Sequence, residues 1–185
     1  RKMQLPNKGG ILEGVDGAGK TTLAEYLAQH HGYRYEHEGP PPPGDHLLYY
    51  GTRLFKAVQR DRPVVFDGFH VGQAVYWPIL RSDFSFGESH LRLMARMTDG
   101  WGVQVIFCCP PYDVAHKNWM SRKGELFVDN GKHRQVYDKF AKLSESSPFA
   151  RSLFWDYTKI EIGTAVQVLL NQQKFLHPLP IGVVG

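Results

Sequence analysis

Short apolar runs alternate with longer amphipathic segments along most of the chain. The short runs are bounded by Gly, Pro or Asp and predict five β-strands, over 10–13, 33–37, 63–66, 103–109 and 153–156. The longer segments repeat apolar residues three and four positions apart and predict helices over 21–29, 72–80, 88–99, 113–120, 133–143 and 160–172, with another after Gly44-Asp45. The tail beyond Phe175, which contains two prolines, is expected to be extended.

Strands and helices that alternate in this way indicate a three-layer α/β fold, with a five-stranded parallel sheet and helices on both faces. A chain of 185 residues fits one such domain, so residues 1–185 are expected to form a single unit. Right-handed crossovers bring the carboxyl ends of parallel strands to one edge of the sheet, where ligands of such folds bind. The loops after the first three strands should therefore carry the functional residues.

Composition and charge narrow the possible partners. No apolar run approaches the roughly 20 residues that span a bilayer, so no membrane partner is expected. The net charge of +4 suits nucleotides or nucleic acid, although an ordinary basic surface explains it equally well because Lys and Arg are not clustered. Cys108 and Cys109 are neighbours in an apolar run and are expected to be buried thiols, which suits a reducing cytoplasm.

The first predicted strand leads directly into Gly14-Val-Asp-Gly-Ala-Gly-Lys-Thr21, a complete match to G-x-x-x-x-G-K-[ST]. Glycines let consecutive backbone N–H groups turn towards phosphate oxygens, and the following helix directs its positive dipole end at the same anion. In this motif the lysine bridges the β- and γ-phosphates and the threonine hydroxyl binds Mg²⁺. The sequence therefore predicts an ATP and Mg²⁺ site that contains Gly14, Gly17, Ala18, Gly19, Lys20, Thr21 and Thr22.

A phosphate loop alone does not distinguish a kinase from a GTPase or an ATPase motor. GTPases usually carry D-x-x-G after the third strand, whereas Asp67 is followed three positions later by His70. The guanine-reading N-K-x-D motif is absent from the sequence, and 185 residues are few for a motor domain. A small kinase is the class that remains.

Three segments resemble the thymidylate kinase group of P-loop nucleotide and nucleoside kinases. Residues 12–22 are similar to the group's EG-x-D/E-G-A/S-G-K-T/S-T pattern, and residues 65–76 resemble its third strand and D-R-Y segment. The continuation to Arg81 is similar to phage and bacterial members. Ser121-Arg-Lys-Gly-Glu125 looks like the start of an arginine-bearing lid, expected over about 121–131.

The resemblance implies roles for individual residues on the ATP side. Lys20 would hold the transferred phosphate, while Thr21 and Asp67 would hold Mg²⁺ directly or through water. Asp16 would face the sugar or the reacting hydroxyl of the acceptor. Arg122 would bind the phosphates from the lid. Lys20, Asp16, Asp67 and Arg122 are thus the expected catalytic residues.

The resemblance also implies an acceptor pocket and an assembly. Phe69 and Tyr76 would line the pocket, and Gln73 would contact a base edge. Members of the group often dimerise through a helix face, so a homodimer is a further expectation.

The chain departs from the group's pattern where an acceptor monophosphate would bind. The arginine that normally follows the third-strand aspartate is replaced by Gly68, and residues 37–44 lack the arginine expected after the second strand. Arg53, Arg81 or His70 could supply the missing charge.

This departure leaves the acceptor open. A deoxypyrimidine nucleoside monophosphate is the first expectation from the resemblance. The alternatives are a nucleoside or a hydroxymethylated pyrimidine base within DNA, as some phage P-loop kinases of hypermodified DNA use. A possibility of another class is an adaptor without catalytic activity that binds ATP and holds nucleic acid.

Overall fold

The computed structural model describes residues 8–80, 86–122, 129–146, 148–149, 152–171 and 183–184. Their strands are β1 (Gly9–Glu13), β2 (Arg34–His37), β3 (Val64–Asp67), β4 (Val103–Cys108), β5 (Ser152–Trp155) and β6 (Val183–Val184). Their helices are α1 (Lys20–His31), α2 (His46–Val58), α3 (His70–Leu80), α4 (Glu88–Gly100), α5 (Tyr112–Ser121), α6 (Asn130–Glu145) and α7 (Ile162–Asn171).

The strands form one sheet in the order β2-β3-β1-β4-β5-β6. The first five strands are parallel, as the sequence pattern predicts, whereas β6 pairs antiparallel with β5 and is two residues long. Every residue of β1, β3 and β4 is buried, which is typical of central strands covered by helices on both faces. The three-layer α/β fold is confirmed. Because β1 lies between β3 and β4, the loop after β1 sits beside the end of β3.

Two helices begin two or three residues earlier than the apolar pattern predicts. Helix α3 starts at His70 rather than at position 72, because a buried carboxylate from β1 binds the backbone N–H groups of its first turn. Helix α6 starts at Asn130 rather than at position 133, because the Asp129 side chain accepts a hydrogen bond from the N–H of Lys132. Apolar periodicity marks the buried face of a helix and does not register a polar first turn.

The cysteines behave as the sequence indicates. Cys108 and Cys109 are buried free thiols, and burial raises the pKa of Cys109 to about 12. Both thiols are therefore protonated and unreactive at neutral pH.

No helix in the described part of the chain is long and apolar enough to cross a membrane.

Candidate active site

The loop between β1 and α1 is shaped by glycines. Gly17 and Gly19 have φ angles of 86° and 90°, in the left-handed region that side chains disfavour. Gly19 also precedes the first turn of α1, and no side chain of the described residues caps that turn. No acidic residue lies in the first turn either. The N–H groups and the positive dipole end of α1 are thus left for an anion from outside the protein.

Lys20 lies at the mouth of this loop. Its Nζ donates hydrogen bonds to the carbonyl oxygens of Gly14 at 2.7 Å and Val15 at 3.1 Å, and it lies 3.9 Å from a carboxylate oxygen of Asp16. The loop carbonyls are weaker partners for an ammonium group than a phosphate is. Lys20 is therefore placed to exchange them for phosphate oxygens without rearrangement of the backbone.

Thr21 and Asp67 meet where β1 and β3 end. The Thr21 hydroxyl donates to Oδ2 of Asp67 at 2.7 Å, and the Tyr35 hydroxyl donates to the same oxygen at 3.0 Å. Burial, followed by the Asp67 charge, raises the pKa of Tyr35 to about 12, so this phenol remains a donor. The structure thus brings together the two residues that the sequence predicts as Mg²⁺ ligands, from positions 46 apart in the chain.

Glu13, the last residue of β1, holds the start of α3. Its Oε1 accepts hydrogen bonds from the N–H groups of Phe69 and Val71, and its Oε2 accepts one from Gly72 at 2.9 Å. The side chain is fully buried, and burial raises its pKa from 4.5 to about 8, although Lys20 and the three N–H groups act in the opposite direction. This carboxylate links the phosphate loop to the helix that the sequence assigns to the acceptor.

A cluster of charged groups occupies the end of β2. The Arg53 guanidinium contacts Oε2 of Glu36 at 3.0 Å and Oε2 of Glu38 at 3.0 Å. Oε1 of Glu38 accepts a hydrogen bond from the Tyr49 hydroxyl at 2.7 Å. Oε2 of Glu38 accepts no well-aligned hydrogen bond from the described residues, despite its closeness to Arg53. Burial raises the pKa of Glu38, and Tyr49 and Arg53 lower it in part.

The structure separates the predicted pocket residues. Phe69 and His70 are 1% and 0% exposed and pack among aromatic rings, so neither presents a side chain to a surface. Burial lowers the pKa of His70 to about 3, which makes it a neutral core residue and not a cation for phosphate. Gln73 accepts a hydrogen bond from the Trp77 indole. Tyr76 contacts the phosphate loop, where its hydroxyl accepts the N–H of Asp16 at 2.9 Å.

The other predicted residues lie around the loop or beyond the described chain. The Asp16 side chain is 37% exposed at the loop's tip. Arg122 follows the last residue of α5 and is exposed. Arg81 and residues 123–128 of the predicted lid lie outside the described residues.

Comparisons with known proteins agree with this geometry at the level of the fold. No protein-family model and no curated protein matches the chain. Among solved structures, the Bacillus subtilis YorR protein in complex with phosphorylated GDP has a TM-score of 0.72 at 17% identity, over 91% of this chain and 99% of that one. Deoxyadenosine kinase from M. mycoides, with dCMP and dCDP, has a TM-score of 0.59 at 13% identity, over 89% and 98%. A Sinorhizobium meliloti gluconokinase has 0.53 at 18% identity, over 90% and 91%.

The chain has the P-loop kinase fold. At these identities the likeness establishes the architecture, and the chemistry has to be argued from the side chains. The fold places the Lys20, Thr21 and Asp67 side chains together at the edge of the sheet where β1 and β3 end. It places the Glu36, Glu38 and Arg53 cluster beside them, because the N–H of Glu38 bonds to the carbonyl of Asp67.

Several residues of this kinase fold escape prediction from the sequence. Glu38 directly follows the second predicted strand. Its position at the edge of the sheet where ligands bind could have identified it as a candidate site residue. Glu13 stands within the segment 12–22 that resembles the thymidylate kinase group, but the apolar pattern predicts it as part of a strand. His133 and Asn118 contact the phosphate loop from positions more than 100 residues away, and no local pattern indicates such contacts.

The Glu13 carboxylate makes a testable contribution to stability. Its pKa is raised in the folded state, so the folded protein holds a proton that the unfolded chain releases between pH 4.5 and about 8. The free energy of unfolding should therefore fall as pH rises through that window. We expect Glu13→Gln to remove this component of the slope. It should also destabilise the fold by about 1–3 kcal/mol, because its amide nitrogen would face the N–H of Gly72.

Urea unfolding of both proteins at several pH values between 5 and 8 measures this difference. Glu88→Gln, on the exposed start of α4, is the matched control. Equal slopes for wild type and Glu13→Gln would contradict the assigned pKa.

Proposed function

We propose that the chain is a kinase that transfers the γ-phosphate of Mg-ATP to a deoxynucleoside-type acceptor. The observation that carries the proposal is the meeting of Lys20, Thr21 and Asp67 around an uncapped helix terminus. Among proteins with this fold, the M. mycoides enzyme was solved with dCMP and dCDP, which supports a nucleoside-type acceptor.

The residues present suit Mg²⁺ and no larger metal cluster. Among the described residues, no group of three or more His, Cys, Asp and Glu side chains could hold a metal by itself. Mg²⁺ typically binds one or two protein oxygens together with substrate phosphates and water. Thr21 and Asp67 supply such oxygens within 2.7 Å of each other. When bound, Mg²⁺ neutralises the charge that develops on the transferred phosphate.

The protein's own groups would perform the rest of the reaction. The loop N–H groups bind the phosphates, and Lys20 follows the γ-phosphate as charge shifts onto its bridging oxygen. The acceptor hydroxyl attacks phosphorus in line, the bond to ADP breaks, and the hydroxyl proton passes to a base. We assign that role to Glu38, because its raised pKa favours proton uptake and its Oε2, although 3.0 Å from Arg53, accepts no well-aligned hydrogen bond from the described residues.

The charges at the end of β2 favour a hydroxyl acceptor over a monophosphate. Arg53 is already bound by Glu36 and Glu38, and Arg34 is bound by Glu36, so two arginines and two glutamates cancel in formal charge. A monophosphate dianion entering here would displace these contacts. The arginine that binds the acceptor monophosphate in the thymidylate kinase group is also missing here, because its position is occupied by Gly68. The φ of 74° at Gly68 would strain an arginine. We therefore place a deoxynucleoside, or a hydroxymethylated base in DNA, ahead of the deoxypyrimidine monophosphate.

Three sets of acceptors, offered in parallel, test which class of acceptor the protein phosphorylates. The sets are deoxynucleosides, their 5′-monophosphates, and DNA with ordinary or hydroxymethylated pyrimidines, each with ATP labelled in the γ-phosphate. We expect label in a hydroxyl acceptor of the first or third set. Label confined to monophosphates would overturn the charge argument and restore the first expectation from the sequence.

Glu38→Gln should lower kcat for the hydroxyl acceptor about tenfold and leave KM for ATP unchanged. The expected factor is modest because a loose phosphoryl-transfer transition state needs little assistance from a general base. Steady-state kinetics with the best acceptor measures it. Glu145→Gln, exposed at the end of α6, is the matched control. An unchanged kcat in Glu38→Gln would remove this residue from the mechanism.

A further inference from the structure

The tip of the phosphate loop, Asp16–Gly17, is held by side chains from three helices. The N–H of Asp16 donates to the Tyr76 hydroxyl of α3 at 2.9 Å. The carbonyl of Asp16 lies 2.9 Å from Nε2 of His133 on α6. The carbonyl of Gly17 accepts a hydrogen bond from the Asn118 amide of α5 at 3.3 Å. Three of the four backbone polar groups at the tip therefore have a side-chain partner from another element.

Helix α5 also touches the loop directly. A Cβ atom on Gly17 would lie 2.1 Å from the carbonyl oxygen of Ala115 and 2.8 Å from the N–H nitrogen of Trp119. The amide of Asn118 donates to the Tyr157 hydroxyl at 2.6 Å, and the Tyr157 ring packs against Gly19. The loop therefore lies against fixed side chains on its outer face, which leaves its inward N–H groups for phosphate.

The ring of His133 is itself held in place. The side chain is 1% exposed and stacks on Trp119, with ring centroids 4.4 Å apart and planes 16° from parallel. Burial lowers the pKa of His133. To bond a carbonyl oxygen, Nε2 must carry a hydrogen, which assigns the neutral Nε2–H tautomer. The stack fixes the ring plane, and the tautomer supplies the donor.

Tyr76 makes the contact on the opposite side of the same residue. Burial, followed by the Asp16 carboxylate, raises the pKa of Tyr76, so its hydroxyl is neutral at any working pH. Phe140 of α6 packs edge-on against its ring, with centroids 5.9 Å apart. Helices α3 and α6 thus hold the two ends of the Asp16 residue and are themselves in contact.

We propose that Tyr76, Asn118 and His133 are positioning residues that keep the loop tip in the shape that binds nucleotide phosphates. They touch neither ATP nor acceptor in this assignment and act through the Asp16–Gly17 backbone. Loss of one of these hydrogen bonds would leave a loop peptide group unpaired and allow the tip to turn. The inference rests on the proposed function only in taking ATP as the ligand of the loop.

Two substitutions of His133 separate hydrogen bonding from packing. His133→Phe keeps an aromatic ring on Trp119 but removes the donor, whereas His133→Gln keeps an amide donor and removes the ring. We expect His133→Phe and Tyr76→Phe each to raise the Kd for a fluorescent ADP analogue about fivefold, the effect of one lost hydrogen bond. His133→Gln should bind within about twofold of wild type. His30→Phe, at the exposed end of α1, is the control and should bind as wild type does.

Binding and kinetics together distinguish the possible results. In the transfer assay, His133→Phe should raise KM for ATP and leave KM for the acceptor unchanged, which general loss of structure would not do. Equal binding by wild type, His133→Phe and Tyr76→Phe would overturn the inference. So would a His133→Gln protein that binds as weakly as His133→Phe. Failure of the wild-type protein to bind the analogue would instead count against the proposed function.

Discussion

Lys20→Ala is expected to lower kcat about 10²–10³-fold while the protein still folds. Phosphoryl transfer depends on positive charge fixed beside the equatorial and bridging oxygens, and this ammonium group is held at the mouth of the loop. The two hydrogen bonds that the variant loses go to carbonyl oxygens of Gly14 and Val15, at the partly buried rim of the site. Stability should therefore change much less than turnover.

Initial rates at saturating Mg-ATP measure the effect, and thermal unfolding checks the fold. Lys139→Ala, exposed on α6, is the matched control and should keep wild-type turnover. A Lys20→Ala protein with normal kcat would show that the loop does not bind the transferred phosphate, and the ATP side of the site would have to be reassigned.

Asp67→Asn is expected to lower kcat about 100-fold and to raise the Mg²⁺ concentration needed for half-maximal rate. The asparagine oxygen can still accept hydrogen bonds from Thr21 and Tyr35, so the local geometry should persist. What the variant loses is the negative charge beside the Thr21 hydroxyl. The defect should accordingly shrink as Mg²⁺ is increased, because mass action offsets a weaker metal site.

Rates across a Mg²⁺ titration measure this, with Asp61→Asn as the control on an exposed turn after α2. A Mg²⁺ dependence identical to that of wild type would exclude Asp67 from the metal site, even if the rate fell. Asp67 would then serve only to accept the hydrogen bonds of Thr21 and Tyr35.

The fold and the meeting of Lys20, Thr21 and Asp67 could be predicted because both depend largely on local sequence. Period-two and continuous apolar runs identify the strands, and their alternation with helices predicts that the strands are parallel. The phosphate loop is a contiguous motif, so Lys20 and Thr21 follow from spacing. Asp67 was implied by the resemblance of residues 65–76 to the thymidylate kinase group, and the structure places it at the end of β3, beside β1. Each of these inferences needs only a short stretch of chain and the handedness of the crossovers.

The acceptor side was harder to predict because long-range packing decides it. Phe69 and His70 follow Asp67 in sequence, yet the turn at Gly68 directs them into the core. Arg53 lies in α2, but it is bound by the carboxylates of Glu36 and Glu38, which helical periodicity does not reveal. In a parallel sheet, neighbours at the edge come from distant segments, so their charge balance appears only in the structure.

The same distinction explains the missed positioning residues. His133 lies 117 positions from Asp16, and its sequence neighbours give no sign of a partner. Glu13 looks like the polar end of a strand until the N–H groups of the β3–α3 turn are placed around it. His133 and Glu13 both bind backbone groups of a loop or helix. Every residue has such backbone groups, so the sequence does not indicate which of them a side chain will bind.

The most direct test of the account is to follow the labelled γ-phosphate of ATP with the wild-type protein, with and without Mg²⁺ and a hydroxyl acceptor. The account predicts label on the acceptor oxygen, one ADP for each phosphate transferred, and loss of transfer without Mg²⁺ or in Lys20→Ala. ATP that binds but stays intact with every acceptor, or label released only as inorganic phosphate, would contradict a kinase.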